Sequence, residues 1–227
     1  MPTHPLDNPV MAALLGPQAH LAESHGRVLR YQPAVSRFVA LPLEPGAEDW
    51  QDLATLLGPG GVAVTGGVPA VPPPDWDLLM DLDGVQLVAD RVQAAPDPEA
   101  VALTPADVPE MLDLVARTRP GPFEPRTIEM GEYLGIRRDG ALIAMAGQRF
   151  RAPGWTEISA VCTDAGYRGQ GLGTRLTLAV AAAIVEAGAT PFLHAAASNT
   201  GAIRLYEALG FALRRKASFV VARAPAP

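Results

Sequence analysis

The sequence has little of several features that mark whole classes of protein. It has one cysteine in 227 residues, which excludes an internal disulfide and is typical of a reducing compartment. Its longest apolar run, residues 178–185, is far too short to span a bilayer, and the N-terminus lacks a basic segment followed by an apolar core. We therefore expect a cytoplasmic protein with no signal peptide and no membrane partner.

Long basic runs and metal-ligand spacings are also missing. The net charge is −6, and the only basic cluster is Arg214-Arg215-Lys216, which argues against a nucleic-acid partner. No spacing of His, Cys and Asp residues indicates a metal site, so no metal is expected. Hydrophobic residues make up 48% and charged residues 19% of the chain, as in a globular and ordered protein.

Residues 94–98, which read Ala-Ala-Pro-Asp-Pro, mark a predicted boundary between two domains. We predict an α/β domain over residues 1–95 and a second domain over residues 99–227. The first has predicted helices at 8–15, capped by Asp7, and at 49–57, with strands at 27–31, 37–40, 61–65 and 85–90. It contains no catalytic pattern, and we expect it to have a packing or lid role.

The second half has a clearer order of elements. A strand at 101–103 precedes a helix whose first turn carries Asp107 and Glu110 and which ends by Arg119, before Pro-Gly-Pro. Strands at 133–137 and 141–150 are joined by Asp139-Gly140, a strong hairpin signal. A third strand carries Glu157, and a helix, a strand, a helix and a final stretch at 211–223 follow.

The most informative stretch is residues 157–173, a short apolar strand followed by three glycines and a helix. The first N–H groups of a helix have no intrahelical partner and lie at the positive end of its dipole. Glycines let a phosphate approach this backbone closely. A P-loop is excluded because Gly171 is followed by Leu172, and the dinucleotide pattern is excluded because residue 174 is threonine.

The remaining pattern, Arg168-x-x-Gly171-x-Gly173, resembles the pyrophosphate loop of the GNAT family of acetyl-CoA-dependent N-acetyltransferases. Residues 199–211 resemble a second GNAT signature, in which an Asn opens a helix, a Tyr lies on it and Gly-Phe closes it. The resemblance covers about residues 101–221. It implies the GNAT fold, an α/β (α+β) class with a mixed, mostly antiparallel sheet flanked by helices. The smaller α/β N-terminal half is then a packing element or a degenerate copy of that fold.

The resemblance also implies which residues hold acetyl-CoA as co-substrate. The pyrophosphate is expected to meet backbone N–H groups of the loop and helix start, namely Arg168, Gly169, Gln170, Gly171, Leu172, Gly173 and Thr174. The pantetheine arm is expected to pair with the backbone of Val161 and Thr163, and the oxyanion with an N–H near Val161 or Cys162. Asn199 is expected either to contact the cofactor or only to cap its helix.

Two catalytic residues are expected from the same resemblance. Tyr206 matches the family's general acid, with core packing as the alternative. Glu157 occupies the position of the base in some members, and we expect it to be half-buried with a raised pKa; a paired structural carboxylate, Glu129 or a water chain are the alternatives. An acyl-cysteine at Cys162 is disfavoured because free cysteines are usually buried small hydrophobes, and His194 is expected to be a satisfied core residue.

The expected activity is transfer of an acetyl group to a primary amine of a small molecule or a protein, through a ternary complex. A non-catalytic acetyl-CoA sensor is the alternative, since a sensor needs the glycine loop but neither Tyr206 nor Glu157. The acceptor is expected near residues 118–126, with Phe123, Arg126 and Arg149 as candidates. A monomer or homodimer is expected.

Overall fold

The computed structural model describes residues 4–226, which form one eleven-stranded sheet flanked by five α-helices. The strands are β1 (Ala22–His25), β2 (Val28–Tyr31), β3 (Phe38–Ala40), β4 (Val62–Thr65), β5 (Asp77–Ala89), β6 (Val101–Ala102), β7 (Tyr133–Arg138), β8 (Ala141–Ala152), β9 (Trp155–Thr163), β10 (Thr190–Ala196) and β11 (Phe211–Arg223). The helices are α1 (Pro9–Leu14), α2 (Ala47–Leu57), α3 (Val108–Thr118), α4 (Leu172–Glu186) and α5 (Thr200–Ala208). A 3₁₀ turn at Thr127–Met130 lies between α3 and β7.

The predicted fold class is confirmed. The sheet order is β1-β2-β3-β4-β11-β5-β10-β9-β8-β7-β6, and only the pairings β3–β4 and β9–β10 are parallel within the described residues. This is an α+β arrangement of a mixed, mostly antiparallel sheet with helices on its faces. No helix among residues 4–226 is both long and apolar enough to cross a bilayer.

The two halves of the chain share this sheet through two exchanged strands. β5 belongs to the N-terminal half but pairs with β10, whereas β11, from the C-terminal half, pairs with β4. β5 and β11 lie side by side in the middle of the sheet, antiparallel from Asp77–Arg223 to Ala89–Phe211. The division into domains at residues 94–98 stays a prediction. The two halves are joined by the hydrogen bonds of one shared sheet.

Each half also follows the same order of elements. In the N-terminal half, three antiparallel strands, β1 to β3, lead through α2 to β4, which is parallel to β3. In the C-terminal half, β7 to β9 lead through α4 to β10, which is parallel to β9. The sheet therefore has two similar wings, with β5 and β11 between them.

Local sequence explains most boundaries of these elements. Leu176, Val180 and Ile184 recur at helical spacing and bury one face of α4, which Gly188 ends at a positive φ of 78°. Asp139 and Gly140 both have positive φ, as a two-residue hairpin turn requires.

Two predicted boundaries need correction. Asn8, not Asp7, caps α1, because its Oδ1 accepts a hydrogen bond from the Met11 N–H at 3.2 Å. β5 was predicted only over 85–90, but it begins at Asp77. Most of residues 77–83 are exposed, so this part of the strand lacks the buried apolar character on which the prediction depended.

Candidate active site

The site begins where two neighbouring strands separate. β9 and β10 pair from Trp155–Thr190 to Ile158–Leu193, and then diverge. Just beyond this point Ala160 has a φ of 53°, and the register between β8 and β9 shifts, which marks a β-bulge. Beyond Ile158 no described strand pairs with the side of β9 that faces β10. The sheet therefore opens here and leaves backbone groups of β9 accessible.

A cavity of about 770 Å³ occupies this opening. It brings together six residues that the sequence predicted for cofactor binding and catalysis, namely Val161, Cys162, Thr163, Arg168, Asn199 and Tyr206. The predicted loop residues Gly169 to Thr174 lie next to the cavity instead of lining it. A Cβ placed on Gly173 would lie 3.8 Å from the side chain of Val161, which does line it. The predicted base, Glu157, is not among the lining residues.

The glycine loop leaves the start of α4 open. Gly171 is the N-cap residue at a φ of 75°, no side chain caps the helix, and no acidic residue lies in its first turn. A Cβ added at Gly169 or Gly171 would meet nothing within 4 Å. Leu172 buries its side chain in the core, so its contribution to a ligand is limited to backbone. The first N–H groups of α4 are thus free to bind an anion.

Arg168 and Asn199 stand on opposite sides of the opening. The exposed Arg168 donates a hydrogen bond from Nε to the carbonyl of Thr163, at 3.3 Å. Asn199 Oδ1 accepts from the Ala202 N–H at 3.1 Å, so the predicted helix cap is confirmed. Because Asn199 also lines the cavity, contact with the cofactor stays a prediction beside the cap.

Tyr206 lies on α5 between the core and the cavity. Its ring centroid is 6.1 Å from that of Phe211, so it packs against the core, and it also lines the cavity. Burial raises the pKa of the Tyr206 hydroxyl above its ordinary value. The hydroxyl is therefore protonated at neutral pH and can donate a hydrogen bond into the cavity.

The expectation that Glu157 is half-buried with a raised pKa is wrong. Its side chain is fully buried, and both oxygens accept hydrogen bonds from Arg149, at 2.7 Å each. Burial by itself acts to raise the pKa of Glu157, but the charge and hydrogen bonds of Arg149, together with His194, lower it to about 2. Such a weakly basic carboxylate, outside the cavity lining, fits the paired structural alternative.

His194 belongs to a row of hydrogen-bonded polar side chains that crosses the sheet. The row consists of Arg149, Glu157, His194, Gln86 and Arg214. Gln86 Oε1 accepts from Arg214 at 2.8 Å, and Gln86 Nε2 donates to the Leu6 carbonyl at 3.0 Å. The amide nitrogen thus also donates to His194 Nε2, 3.1 Å away, and His194 Nδ1–H donates to Glu157 Oε1 at 2.6 Å. Both ring nitrogens are used, which confirms a satisfied core histidine. The row runs over β8, β9, β10, β5 and β11.

Cys162 lines the cavity, but its thiol is poorly suited to covalent chemistry. Burial raises the pKa of its thiol, which keeps the sulfur protonated and weakly nucleophilic. Within residues 4–226 there is also no cluster of three or more His, Cys, Asp or Glu side chains that could hold a metal ion.

The far side of the cavity has an apolar floor that the sequence did not indicate. Phe38 of β3 pairs in register with Val64 of β4, Val64 with Val221 of β11, and Val221 with Met80 of β5. On the next positions along β5 and β11, Leu82 pairs with Phe219. All six line the cavity. They come from four strands scattered over the chain, so no local motif could have grouped them.

Only part of the predicted acceptor loop lines the cavity, and its role in acceptor binding stays a prediction. Thr118 and residues 119–122 line the cavity opposite the floor. Phe123 does not, because it packs in the core with its ring edge-on to Tyr133. Arg126 is held by Glu129 through two hydrogen bonds of 2.6 and 2.7 Å, outside the cavity.

Comparison with known proteins agrees with this geometry. A family model described as FR47-like protein matches residues 133–220. The crystal structure of a proposed acetyltransferase of the GNAT family from Novosphingobium aromaticivorans DSM 12444 is 40% identical, with a TM-score of 0.88 over 97% of this chain and 98% of that one. A GCN5-related N-acetyltransferase from Kribbella flavida shares the fold at 18% identity, with a TM-score of 0.64 over 98% and 96% of the two chains. A search of curated proteins gives no significant match. Because 40% identity extends over nearly the whole of both chains, this chain belongs to the GNAT family of acetyltransferases.

Proposed function

We propose that this protein is an acetyl-CoA-dependent N-acetyltransferase that transfers the acetyl group to a primary amine by direct attack in a ternary complex. One observation carries the proposal. The cavity joins the accessible backbone of β9 and the hydroxyl-bearing Tyr206, and it opens beside the uncapped start of α4. An anionic cofactor with an extended arm and a reactive end requires this combination.

The residues present suit acetyl-CoA, which supplies an activated acetyl thioester when bound. The N–H groups from Gly169 to Thr174, with Arg168 beside them, would hold the pyrophosphate. The backbone of Val161 and Thr163 would pair with the pantetheine arm, and the N–H of Cys162 would face the developing oxyanion. Side chains matter little to these contacts, because the backbone makes them.

The cavity favours the neutral form of an amine. None of the described residues that line it is an aspartate or glutamate, whereas Arg119 and Arg168 are exposed cations. Positive charge and an apolar surface both disfavour an ammonium ion. We propose that the amine binds deprotonated and that its nitrogen bonds to the acetyl carbon to give the oxyanion. The C–S bond then breaks as the carbonyl re-forms, and one amine proton passes to solvent water.

Tyr206 would assist the departing thiolate. A thiol has a pKa of roughly 8.5 and a tyrosine roughly 10, so full proton transfer is uphill by about 2 kcal/mol. A raised pKa of Tyr206 increases this gap. Its role is therefore a hydrogen bond that strengthens as charge develops on sulfur, with the final proton on the thiol balancing the one lost by the amine.

The alternative, an acetyl-CoA sensor without activity, is now distinguished by Tyr206 alone. Glu157 no longer separates the two functions, because its contacts to Arg149 and His194 explain it without catalysis. Tyr206 still does, since a protonated hydroxyl that lines the cavity beside the expected thioester position has no use in a sensor.

Calorimetric titration with acetyl-CoA tests the proposal. Gly171 and Gly188 lie at opposite ends of α4 with φ of 75° and 78°, and a Cβ at either would meet nothing within 4 Å. Gly171→Glu and Gly188→Glu therefore introduce similar backbone strain and the same charge. We expect micromolar binding by the wild type and by Gly188→Glu, and none by Gly171→Glu. Equal binding by both variants, or none by the wild type, would contradict the proposal.

A further inference from the structure

We infer that the acceptor of this site is a primary amine carried on an uncharged apolar body, such as an arylalkyl group, without a carboxylate. The inference rests on the proposed function, since it assigns the second substrate of the same cavity. It comes from two observations on the acceptor side, namely the continuous apolar floor and the neutralisation of the one cation that borders it.

The floor offers a broad apolar surface, and the polar side chains beside it, Arg149 and His194, are already hydrogen-bonded within the protein. Four strands contribute to it in register, through Phe38, Val64, Val221 and Met80, with Phe219 and Leu82 beside them. Strand pairing fixes the positions of these side chains. A substrate that covers the floor would remove apolar surface from water, which favours binding by about 25 cal/mol per Å². A polar or charged body would gain nothing there and would lose its hydration.

The cation nearest the floor is not free to bind a carboxylate. The Arg149 guanidinium lies 4.8 Å from the ring centroid of Phe38 and 4.6 Å from that of Phe150. Its Nε and Nη2 both donate to Glu157, at 2.7 Å, so its charge is compensated by a buried carboxylate. Recognition of an acceptor carboxylate would normally use such a two-pronged contact. Here Glu157 already occupies it.

The other two cations of the cavity lie away from the floor. Arg168 follows β9 at the start of the glycine loop, and Arg119 directly follows α3. Both are exposed, and Arg168 donates to the carbonyl of Thr163 on the cofactor strand. Arg168 therefore lies on the side of the cavity where the cofactor is expected, and Arg119 lies across the cavity from the floor, so the floor itself has no unpaired charge among the described residues.

Three amines separate the possible acceptor classes in a thiol-release assay on the full chain with acetyl-CoA. Phenethylamine has the apolar body, and L-phenylalanine adds a carboxylate to that body. Putrescine has no aromatic group and carries a second ammonium instead. We expect phenethylamine to be acetylated with a kcat/KM that exceeds the value for each of the others at least about tenfold, a difference of about 1.4 kcal/mol in transition-state stabilisation.

The same assay can overturn the inference without overturning the proposed function. Equal or faster acetylation of L-phenylalanine would show that a carboxylate is accommodated, and faster acetylation of putrescine would show that the floor does not select. If none of the three reacts while acetyl-CoA binds in calorimetry, the acceptor class is wrong and cofactor binding stands. If acetyl-CoA itself does not bind, the proposed function fails as well.

A pair of variants tests the floor itself. Met80 and Leu213 are both exposed, at 53% and 57%, and lie on the adjacent strands β5 and β11, but only Met80 lines the cavity. We expect Met80→Asn to lower kcat/KM for phenethylamine about fivefold, the size of one partly buried apolar contact, with unchanged affinity for acetyl-CoA. Leu213→Asn should leave both at the wild-type level. Equal effects of the two variants would remove the floor from acceptor binding.

Discussion

The two wings of the sheet place a helix at the same position but differ in how that helix begins. In the N-terminal wing α2 follows β3, and its first turn carries Glu48 and Asp49. Asp49 accepts a hydrogen bond from the Gly46 N–H at 2.8 Å, and Arg27 pairs with the same carboxylate at 2.7 Å. In the C-terminal wing α4 follows β9 with no acidic residue in its first turn and no side-chain cap.

This difference shows that topology alone does not make an anion site. Both helices have free N–H groups and a positive dipole end in principle. In α2 a carboxylate of the chain already neutralises that end, and a phosphate would be repelled. In α4 the glycines keep the same groups accessible. Under the proposed function, the C-terminal wing holds the pyrophosphate, and the N-terminal wing supplies apolar strands to the acceptor side.

The largest effect is expected from the buried ion pair of the C-terminal wing, which has no counterpart in the N-terminal wing among the described buried residues. Glu157→Gln leaves Arg149 buried without its counter-charge and weakens the row that continues through His194 and Gln86. We expect the free energy of unfolding to fall by about 3 kcal/mol in urea denaturation at neutral pH. Glu129→Gln is the matched control, because Glu129 has the same two-bond contact with Arg126 at an exposed position, and it should cost less than about 1 kcal/mol.

The destabilisation caused by Glu157→Gln is expected to depend on pH. The folded pKa of Glu157, about 2, lies below its ordinary value of 4.5, so its contribution is fully present above pH 4.5 and is lost as the pH falls toward 2. The wild type should therefore lose more stability than Glu157→Gln over this interval. If the free energies of unfolding of the two proteins fell in parallel with pH, the Arg149–Glu157 ion pair would not stabilise the fold.

A smaller effect is expected from the second difference between the wings. The C-terminal wing places α5, with Tyr206, after β10, whereas no helix follows β4 before β5. Tyr206→Phe keeps the ring and its contact with Phe211, and removes only the hydroxyl. We expect kcat to fall at least about tenfold with little change in acetyl-CoA affinity. An unchanged kcat would remove the acid role and favour the sensor.

The parts of the site that the sequence predicted are those built from contiguous residues. The loop from Arg168 to Thr174 and the helix opened by Asn199 depend on local chemistry: glycine at positive φ, a side-chain cap and helical spacing. The order of elements in the C-terminal half follows from the same kind of signal. Nearly every strand and helix of this half could therefore be placed before the structure.

The parts that could not be predicted depend on strand exchange and on strand register. Nothing in residues 77–89 indicates that this strand leaves its own half to pair with β10, so the floor formed with Val64 and Val221 had no signal. The pKa of Glu157 was assigned the wrong direction for a different reason: its partner Arg149 is set by the bulged register of β8 against the neighbouring strand β9, and that register had no local signal. Long-range strand pairing, more than local propensity, determines which residues form the apolar floor.

The central claim is that an uncapped helix start, present in one wing and absent in the other, binds the cofactor. Thr174 is the third residue of α4, as Asp49 is the third residue of α2, so Thr174→Asp gives α4 the acidic start of α2. The direct measurement is the Kd of acetyl-CoA for Thr174→Asp and its uncharged control Thr174→Asn. The account predicts a Kd at least about tenfold higher for the aspartate variant, with the asparagine variant close to wild type. Wild-type affinity in Thr174→Asp would contradict it.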